Sequence, residues 1–375
     1  MELSGSYRNS NYSTGSKTDT WGLGIDYAPV KSVRIRASHQ VAVRAPSIFD
    51  LFGPSGVGLG GPAIDPCEGS TPTASAVACA RTGVTAAQYG NIAANSANQH
   101  QASFGGNLSV KPENAKTDTI GFVVEPIKNL VFTVDAFKIK IDGNISTVDS
   151  TTILNQCLQT GQALFCNMIH RDKLGSLWVI DGEGYVEGRT TNIGGLVTSG
   201  VDIAASYGMK LGGMGGLNLS LNGTLLNKLE IENVPGLGKY DCVGYFGATC
   251  GTPNSKWRHK ARATWATPWN LDASVTWRHF GAVKQEGLSS NPLLSNDVNP
   301  IEQNVSARNY MDLNAAYAVT KNLSLSAGIT NLFDKDPPVL STNATPSAGV
   351  ANGNTYPQVY EALGRKIYVN LTAKF

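Results

Sequence analysis

The chain has 375 residues, of which only 15% are charged, and a formal net charge of +2. That small balance gives no support to nucleic-acid binding, which needs a clustered basic face, and the charged fraction falls well below the roughly 25% of globular domains. Gly is frequent at 41 residues, mean hydropathy is −0.13, and the absence of any run of about 18 apolar residues excludes a transmembrane helix.

In chain order, Met1 to Tyr7 has no basic region and no apolar run, so it is not a signal peptide. It already alternates like a strand. An exported protein needs a signal, so the chain reads as the downstream part of something longer. Next, Trp21, Leu23, Ile25 and Tyr27 share one face of a strand, and a turn at Ala28 to Lys31 leads to Val33, Ile35 and Ala37 against Arg34, Arg36 and Ser38. A second pair runs from about Thr117 to Glu125 and from Leu130 to Ile141. A third sets Val201, Ile203, Ala205, Tyr207 and Met209 against Asp202 and Lys210, turns at Gly212 to Gly216, and returns with Leu217, Leu219 and Leu221. The fourth puts Trp257, His259, Ala261, Ala263 and Trp265 on one face and Arg258, Lys260 and Arg262 on the other, then continues with Leu271, Ala273, Val275 and Trp277. The fifth carries Met311, Leu313, Ala315 and Tyr317, then Leu323, Leu325, Ala327 and Ile329.

The last stretch, Lys366 to Phe375, places Ile367, Val369, Leu371, Ala373 and Phe375 on one face. Period-two alternation over about ten residues matches a tilted strand long enough to cross a bilayer. With the first and last strands the count is about twelve. The expected fold is therefore all-β, an antiparallel transmembrane barrel portion with short periplasmic turns and long extracellular loops.

Arg258, Lys260 and Arg262 decide which face is which. One Arg or Lys at the lipid midplane costs about 2–4 kcal/mol, so three at alternate positions must face a wet lumen. Trp257 and Trp265 on the opposite face stand roughly 20 Å apart along the membrane normal, near the ~25 Å height of the apolar band. Each then sits near one aromatic girdle.

Long connections, roughly Ala42 to Asn114, Gly143 to Leu196, Glu232 to Ser255, Lys284 to Val305 and Asp334 to Leu363, alternate with the short turns. Structureless loops of that length argue against a compact soluble domain and suit a bacterial barrel. All 6 Cys fall in these loops, as Cys67 with Cys79, Cys157 with Cys166, and Cys242 with Cys250. An even count confined to exported loops reads as disulfides, and loop-local pairing is the simplest of about 15 connectivities. The rival reading makes Cys157, Cys166 and His170 metal ligands, but no Cys-x-x-Cys spacing supports it.

Four segments carry a family resemblance. Val43 to Phe49, with Arg44, Pro46 and Ser47, resembles the Arg-x-Pro segment leaving a barrel strand in TonB-dependent outer-membrane receptors. Asn107 to Glu113, with Lys111-Pro112-Glu113, is similar to their stretch leading into a strand, although Val110 stands where Leu is usual. Ala327 to Lys335, with Asn331-Leu332-Phe333-Asp334, resembles their penultimate-strand signature. Gly364 to Phe375 is similar to their final strand, whose Ile367, Val369, Leu371 and terminal Phe375 then serve as the barrel-assembly signal.

The resemblance implies a barrel of about 22 strands with a plugged lumen. Such receptors import siderophores, cobalamin or oligosaccharides across the bacterial outer membrane with energy from TonB. No plug-like segment or TonB-contacting box is read near Met1, and only about twelve strands are present. Residues 1–375 are therefore expected to be the carboxy-terminal barrel portion, incompetent for transport alone, with an unpaired first strand marking a cut edge. Expected partners are outer-membrane lipid and the barrel-assembly machinery, with TonB acting only through the missing plug. No cofactor and no nucleic acid are expected.

The lumen face carries Arg34, Arg36, Arg258, Lys260, Arg262 and Arg278 beside Asp26, Asp202, Asp272 and Asp312. These are either a polar path for an anionic ligand or, more ordinarily, cross-strand ion pairs and plug contacts. Phe49, Phe52, Phe104, Tyr245, Phe246 and Tyr356 are candidates for a binding rim on the loops. His39, His100, His170, His259 and His279 are scattered without metal spacing, and no Gly-x-Ser-x-Gly or P-loop pattern appears. Gly56 to Gly61 reads as a flexible loop. Two other functions are weighed: an outer-membrane lipase-like barrel, which needs a Ser–His pair at the rim, and a secreted β-rich adhesion module.

Overall fold

A strand bathed by hydrocarbon on one side and water on the other must satisfy its backbone through its neighbours and sort its side chains by parity. The computed structural model, which describes residues 1–62, 64–298, 300, 303–340 and 354–374, builds twelve long strands of this kind. They are β1 (Glu2–Asn11), β2 (Lys17–Val30), β3 (Val33–Arg44), β4 (Glu113–Ile127), β5 (Leu130–Asp142) and β6 (Gly195–Lys210). Then come β7 (Gly216–Glu232), β8 (Trp257–Ala266), β9 (Leu271–Phe280), β10 (Arg308–Ala318), β11 (Leu323–Thr330) and β12 (Lys366–Ala373). Each pairs antiparallel with the next, so sheet order equals chain order. Among the described residues β1 pairs only with β2, and no pairing of β1 with β12 closes the sheet.

The register keeps one face apolar across the sheet. Leu219 lies opposite Ala263, Ala263 opposite Val275, and Val275 opposite Leu313. Leu313 lies opposite Ile329, which lies opposite Ile367. Val369 and Leu371 continue that face on β12, and their side chains are exposed. Phe375 lies outside the described residues. Short turns hold Lys31–Ser32, Lys128–Asn129 and Thr267–Asn270, where Asn129 and Asn270 take positive φ of 66° and 58°. Asn tolerates that conformation better than most residues.

The strand count departs from the sequence expectation of about twelve. The described residues hold 22 strands: the twelve above, and ten short ones within the long connections. The loops are thus not structureless. Gly56–Pro62 pairs with Gln99–Phe104 in a four-stranded sheet, where a glycine-rich flexible loop was expected. Gly56 and Gly58 pack under the Phe104 ring. Four helices also form: α1 (Ile48–Phe52), α2 (Ala76–Arg81), α3 (Ser150–Thr160) and α4 (Ala163–Cys166). Asp149 caps α3 by accepting from the Thr152 N–H at 3.1 Å, and Gly161 ends it at φ 65°. Helical spacing of Ile153, Leu154, Cys157 and Leu158 signals α3, whereas the short strands carry no such period, because their order comes from contacts between distant segments.

The core lies in these loops and not within the sheet. Phe165, Ile153, Leu154 and Leu177 are fully buried, together with Cys67, Cys79 and Cys157. Three disulfides staple the loops: Cys67–Cys79, Cys157–Cys166 and Cys242–Cys250. An ion pair joins the β3–β4 loop to the β5–β6 loop. Arg171 donates to both Asp65 oxygens at 2.6 and 3.0 Å, and to the Thr82 and Gly175 carbonyls. Its side chain is 3% exposed and that of Asp65 is 2% exposed. Arg81 donates to the Leu158 and Gln159 carbonyls at the end of α3, where a cation is favoured by the helix dipole.

Two expected outcomes test this architecture. Asp65→Asn leaves the Arg171 charge buried without its partner, a loss of about 3–5 kcal/mol borne by the loop unit. Hydrogen exchange should accelerate in residues 64–112 and 143–194 while the long strands stay protected; unchanged loop exchange would contradict the assignment. At the last hairpin, Gly328 lies opposite Tyr368, whose ring occupies the space a Cβ would take. Gly328→Val should destabilise the β11–β12 pair by about 1–3 kcal/mol through overpacking and speed hydrogen exchange in residues 323–330 and 366–373, with exchange as in the unaltered protein contradicting it.

Candidate functional site

Three of the family-like segments turn out to be joints. Arg44 closes the end of β3 by a bidentate bond to Glu113 at 2.6 and 2.7 Å, directly across the β3–β4 register. Glu113 also accepts from the Ile145 N–H at 2.6 Å. Ser47 and Asp50 then cap α1 reciprocally. At the other end, Asn331 is buried at φ 55° and exchanges two bonds with the Lys335 backbone, at 3.0 and 2.9 Å. Its own N–H reaches Asp312 at 2.9 Å, and Asp334 accepts from the Arg365 N–H at 2.7 Å. These residues hold strand ends in place.

The charged face gathers a cavity of about 460 Å³ near the loop end of β5 to β10. Two register rows build it. Asp135, Asp202, Thr224, Arg258 and Phe280 lie side by side, one per strand from β5 to β9. One step nearer the short turns, Asn222, Lys260, Arg278 and Tyr310 do the same from β7 to β10. On the acidic side both carboxylates are hydrogen-bonded, and Asp135 alone is neutralised by a cation. Asp202 accepts from the Thr224 hydroxyl at 2.7 Å, and Asp135 receives Arg36 at 2.8 and 2.6 Å. That reach from β3 to β5 passes over Gly121 on β4, where a Cβ would overlap the Asp135 carboxylate. Arg278 is neutralised by Asp312 at 2.7 and 2.9 Å and by Glu361 at 2.7 Å, and it stands 5.2 Å over the Tyr310 ring.

Arg258 and Lys260 differ: neither makes an ion pair among the described residues. The cavity therefore presents two cations against the one unpaired carboxylate of Asp202, a net positive lining beside an aromatic edge, which suits an anionic group.

The remaining inner-face charges are dispersed. Arg34 meets Asp26 at 3.5 Å on β2–β3, Arg262 donates to the Ser274 hydroxyl at 2.9 Å, and Asp272 sits at the short-turn end opposite Ala266 and Ala316. Asp135, Tyr310 and Glu361 were not singled out from sequence. Asp135 alternates with apolar neighbours, and only the register with Gly121 reveals its role. Glu361 comes from a loop without periodicity.

The aromatic rim is corrected in part. Phe49, Phe52 and Phe104 are exposed, but Phe246 and Tyr356 are fully buried in a cluster with Val283, Val305, Leu340 and Tyr360. Apolar side chains supplied by three loops cover them. Burial pushes the phenols of Tyr356 and Tyr360 above their ordinary range and that of Tyr240 up to about 12, so all three stay neutral packing groups. Cys157 and Cys166 are bonded to each other, and His170 faces Glu187 at 2.9 Å. Among the described residues no group of three or more His, Cys, Asp or Glu side chains converges for a metal. A second cavity, of about 590 Å³, lies beneath the loops between Thr147, Asn233, Tyr240 and Leu293, with no Arg or Lys in its lining.

Among curated protein sequences none matches the chain. Solved structures do. A ferric enterobactin receptor of Pseudomonas aeruginosa, in complex with enterobactin, superposes with a TM-score of 0.64 at 17% identity, covering 100% of this chain and 43% of that one. The siderophore receptor PirA of Acinetobacter baumannii superposes with a TM-score of 0.59 at 14% identity, covering 98% and 43%. The chain thus spans less than half the length of these relatives, and at such identity the likeness establishes the fold. The family model for the TonB dependent receptor-like β-barrel matches residues 2–332. With most of the chain inside that match, the protein belongs to the TonB-dependent receptor-like β-barrel family.

Proposed function

We propose that residues 1–375 form the carboxy-terminal portion of the barrel of a bacterial outer-membrane uptake receptor. It is a receptor rather than an enzyme, with a ligand of the siderophore, cobalamin or oligosaccharide class. The reading is supported chiefly by the uninterrupted order of twelve long strands, apolar on one face and charged on the other, in a chain whose whole length superposes on a ferric enterobactin receptor. Its apolar face meets outer-membrane lipid, and insertion depends on the barrel-assembly machinery. Energy coupling to TonB belongs to the receptor as a whole, of which this chain supplies wall and loops. Within the ligand classes, Arg258 and Lys260 favour an anionic cargo over a neutral sugar, because they outnumber the unpaired Asp202 carboxylate and a net positive walled space raises the local concentration of anions.

Two measurements test this. Deleting the gene should slow growth under iron limitation and abolish uptake of one labelled ferric siderophore; wild-type growth and uptake across a panel of anionic chelates would overturn the anionic assignment. In the receptor carrying this chain, Arg258→Ala with Lys260→Ala should lower the uptake rate by on the order of tenfold at low salt and less at high salt, with surface abundance unchanged.

A further inference from the structure

The apolar face is not uniform along the strands. On β4 it runs Val124, Phe122 and Ile120, then changes to Asp118 and Lys116; on β5 it runs Phe132, Val134 and Ala136, then changes to Lys138 and Lys140. The register stacks these changes together. Ile120 lies opposite Ala136, Asp118 opposite Lys138, and Lys116 opposite Lys140. Measured from Leu130 at the short-turn end, Lys138 and Lys140 stand roughly 21 and 26 Å up the membrane normal, at ~3.4 Å per residue and a ~40° tilt. That is the upper edge of the ~25 Å apolar band. At a similar height on β8 the same face carries Trp257, an ordinary girdle residue. Here it carries three exposed lysines.

These lysines are only partly compensated: Asp118 stands opposite Lys138 and Asp142 pairs Lys140, which leaves the cluster net positive. Two like charges directly opposite each other on a sheet are destabilising, yet Lys116 and Lys140 face one another. Lys140 reaches Asp142 at 2.9 Å, but both side chains are half exposed, and such a pair holds weakly. Asp118 is engaged by His39 at 2.6 Å. Lys116 and Lys138 make no ion pair among the described residues. On the neighbouring β6, Ser199 and Val197 lie beside Lys138 and Lys140 and bring no charge.

We propose that Lys116, Lys138 and Lys140 dock the phosphorylated headgroup of a lipid in the outer leaflet. Its acyl chains lie on Ile120, Phe122, Phe132 and Val134 below. The phosphate relieves the repulsion between Lys116 and Lys140, and the apolar residues beneath select a lipid over a soluble anion. The site rests on the reading of the chain as outer-membrane barrel wall.

The test begins with the receptor carrying this chain, extracted from outer membranes in mild detergent. Its absence from that fraction overturns the functional reading and the site together. Retained lipid is then quantified by mass spectrometry for the unaltered protein, for Lys116→Ala/Lys138→Ala/Lys140→Ala, for the corresponding triple Arg variant, and for Lys321→Ala at a short turn as control. Phosphorylated glycolipid should be retained over zwitterionic phospholipid and fall by on the order of fivefold per lysine removed. The Arg variant and Lys321→Ala should keep it, and heat-modifiable mobility confirms that each variant is folded. Equal retention by a folded Ala variant overturns the site alone. Displacement of the retained lipid by millimolar inorganic phosphate assigns the lysines to a soluble anion and overturns the lipid.

Discussion

Every feature of this protein depends on one constraint: a backbone segment in hydrocarbon has no water to bond, so each spanning strand must be satisfied by its neighbours. Pairing then fixes register, and register fixes faces, because a slip of one residue would turn every side chain to the wrong medium. The apolar row from Leu219 to Ile367 crosses six strands without interruption. Arg258, Lys260 and Arg278 occupy the complementary face of the same strands. The one bulge between β6 and β7, at Ser199/Gly200, falls above the long apolar run, where the outer face already carries charged residues and a change of parity costs little.

A wall that is apolar outward and polar inward cannot supply an ordinary core, since neither face of the sheet packs on another layer. Burial is displaced to the loops. There, disulfides limit the entropy of long closed segments, and the Arg171–Asp65 pair ties two loops across more than a hundred residues of sequence. Breaking a buried pair is costly even where forming it is neutral, so this contact acts more as a specification of loop arrangement than as a reservoir of stability.

The division between what was legible in the sequence and what was not follows the same physics. The long strands, their turns and their faces are periodic, so Trp257 to Trp265 against Arg258 to Arg262 already declared a wet side and an oily one. The ten short strands follow no local period; of the helices, α3 does, with Ile153, Leu154, Cys157 and Leu158 on its buried face between Asp149 and Gly161, a local signal within a stretch expected to be loop. Gly56 to Pro62 forms a strand because Gln99–Phe104 lies beside it, and Phe246 is buried because Val283, Val305 and Tyr356 converge on it. Asp135 became meaningful only when register set it beside Gly121 and Arg36. Local propensity reports none of these placements.

The same reasoning separates family from ligand. The segments that carry the resemblance are spent on joints: Arg44 on Glu113, Asn331 on Lys335, Asp334 on Arg365. A joint must be kept whatever the barrel transports, so such segments identify the architecture and say nothing of the cargo. Ligand choice has to reside in groups the scaffold does not need. On the inner wall several charges are used up in scaffolding: Arg36 by Asp135, and Arg278 by Asp312 and Glu361. Arg258 and Lys260 are left over. Holding two adjacent cations without partners is a standing electrostatic cost in a space with low-dielectric walls, and an anion entering that space removes it.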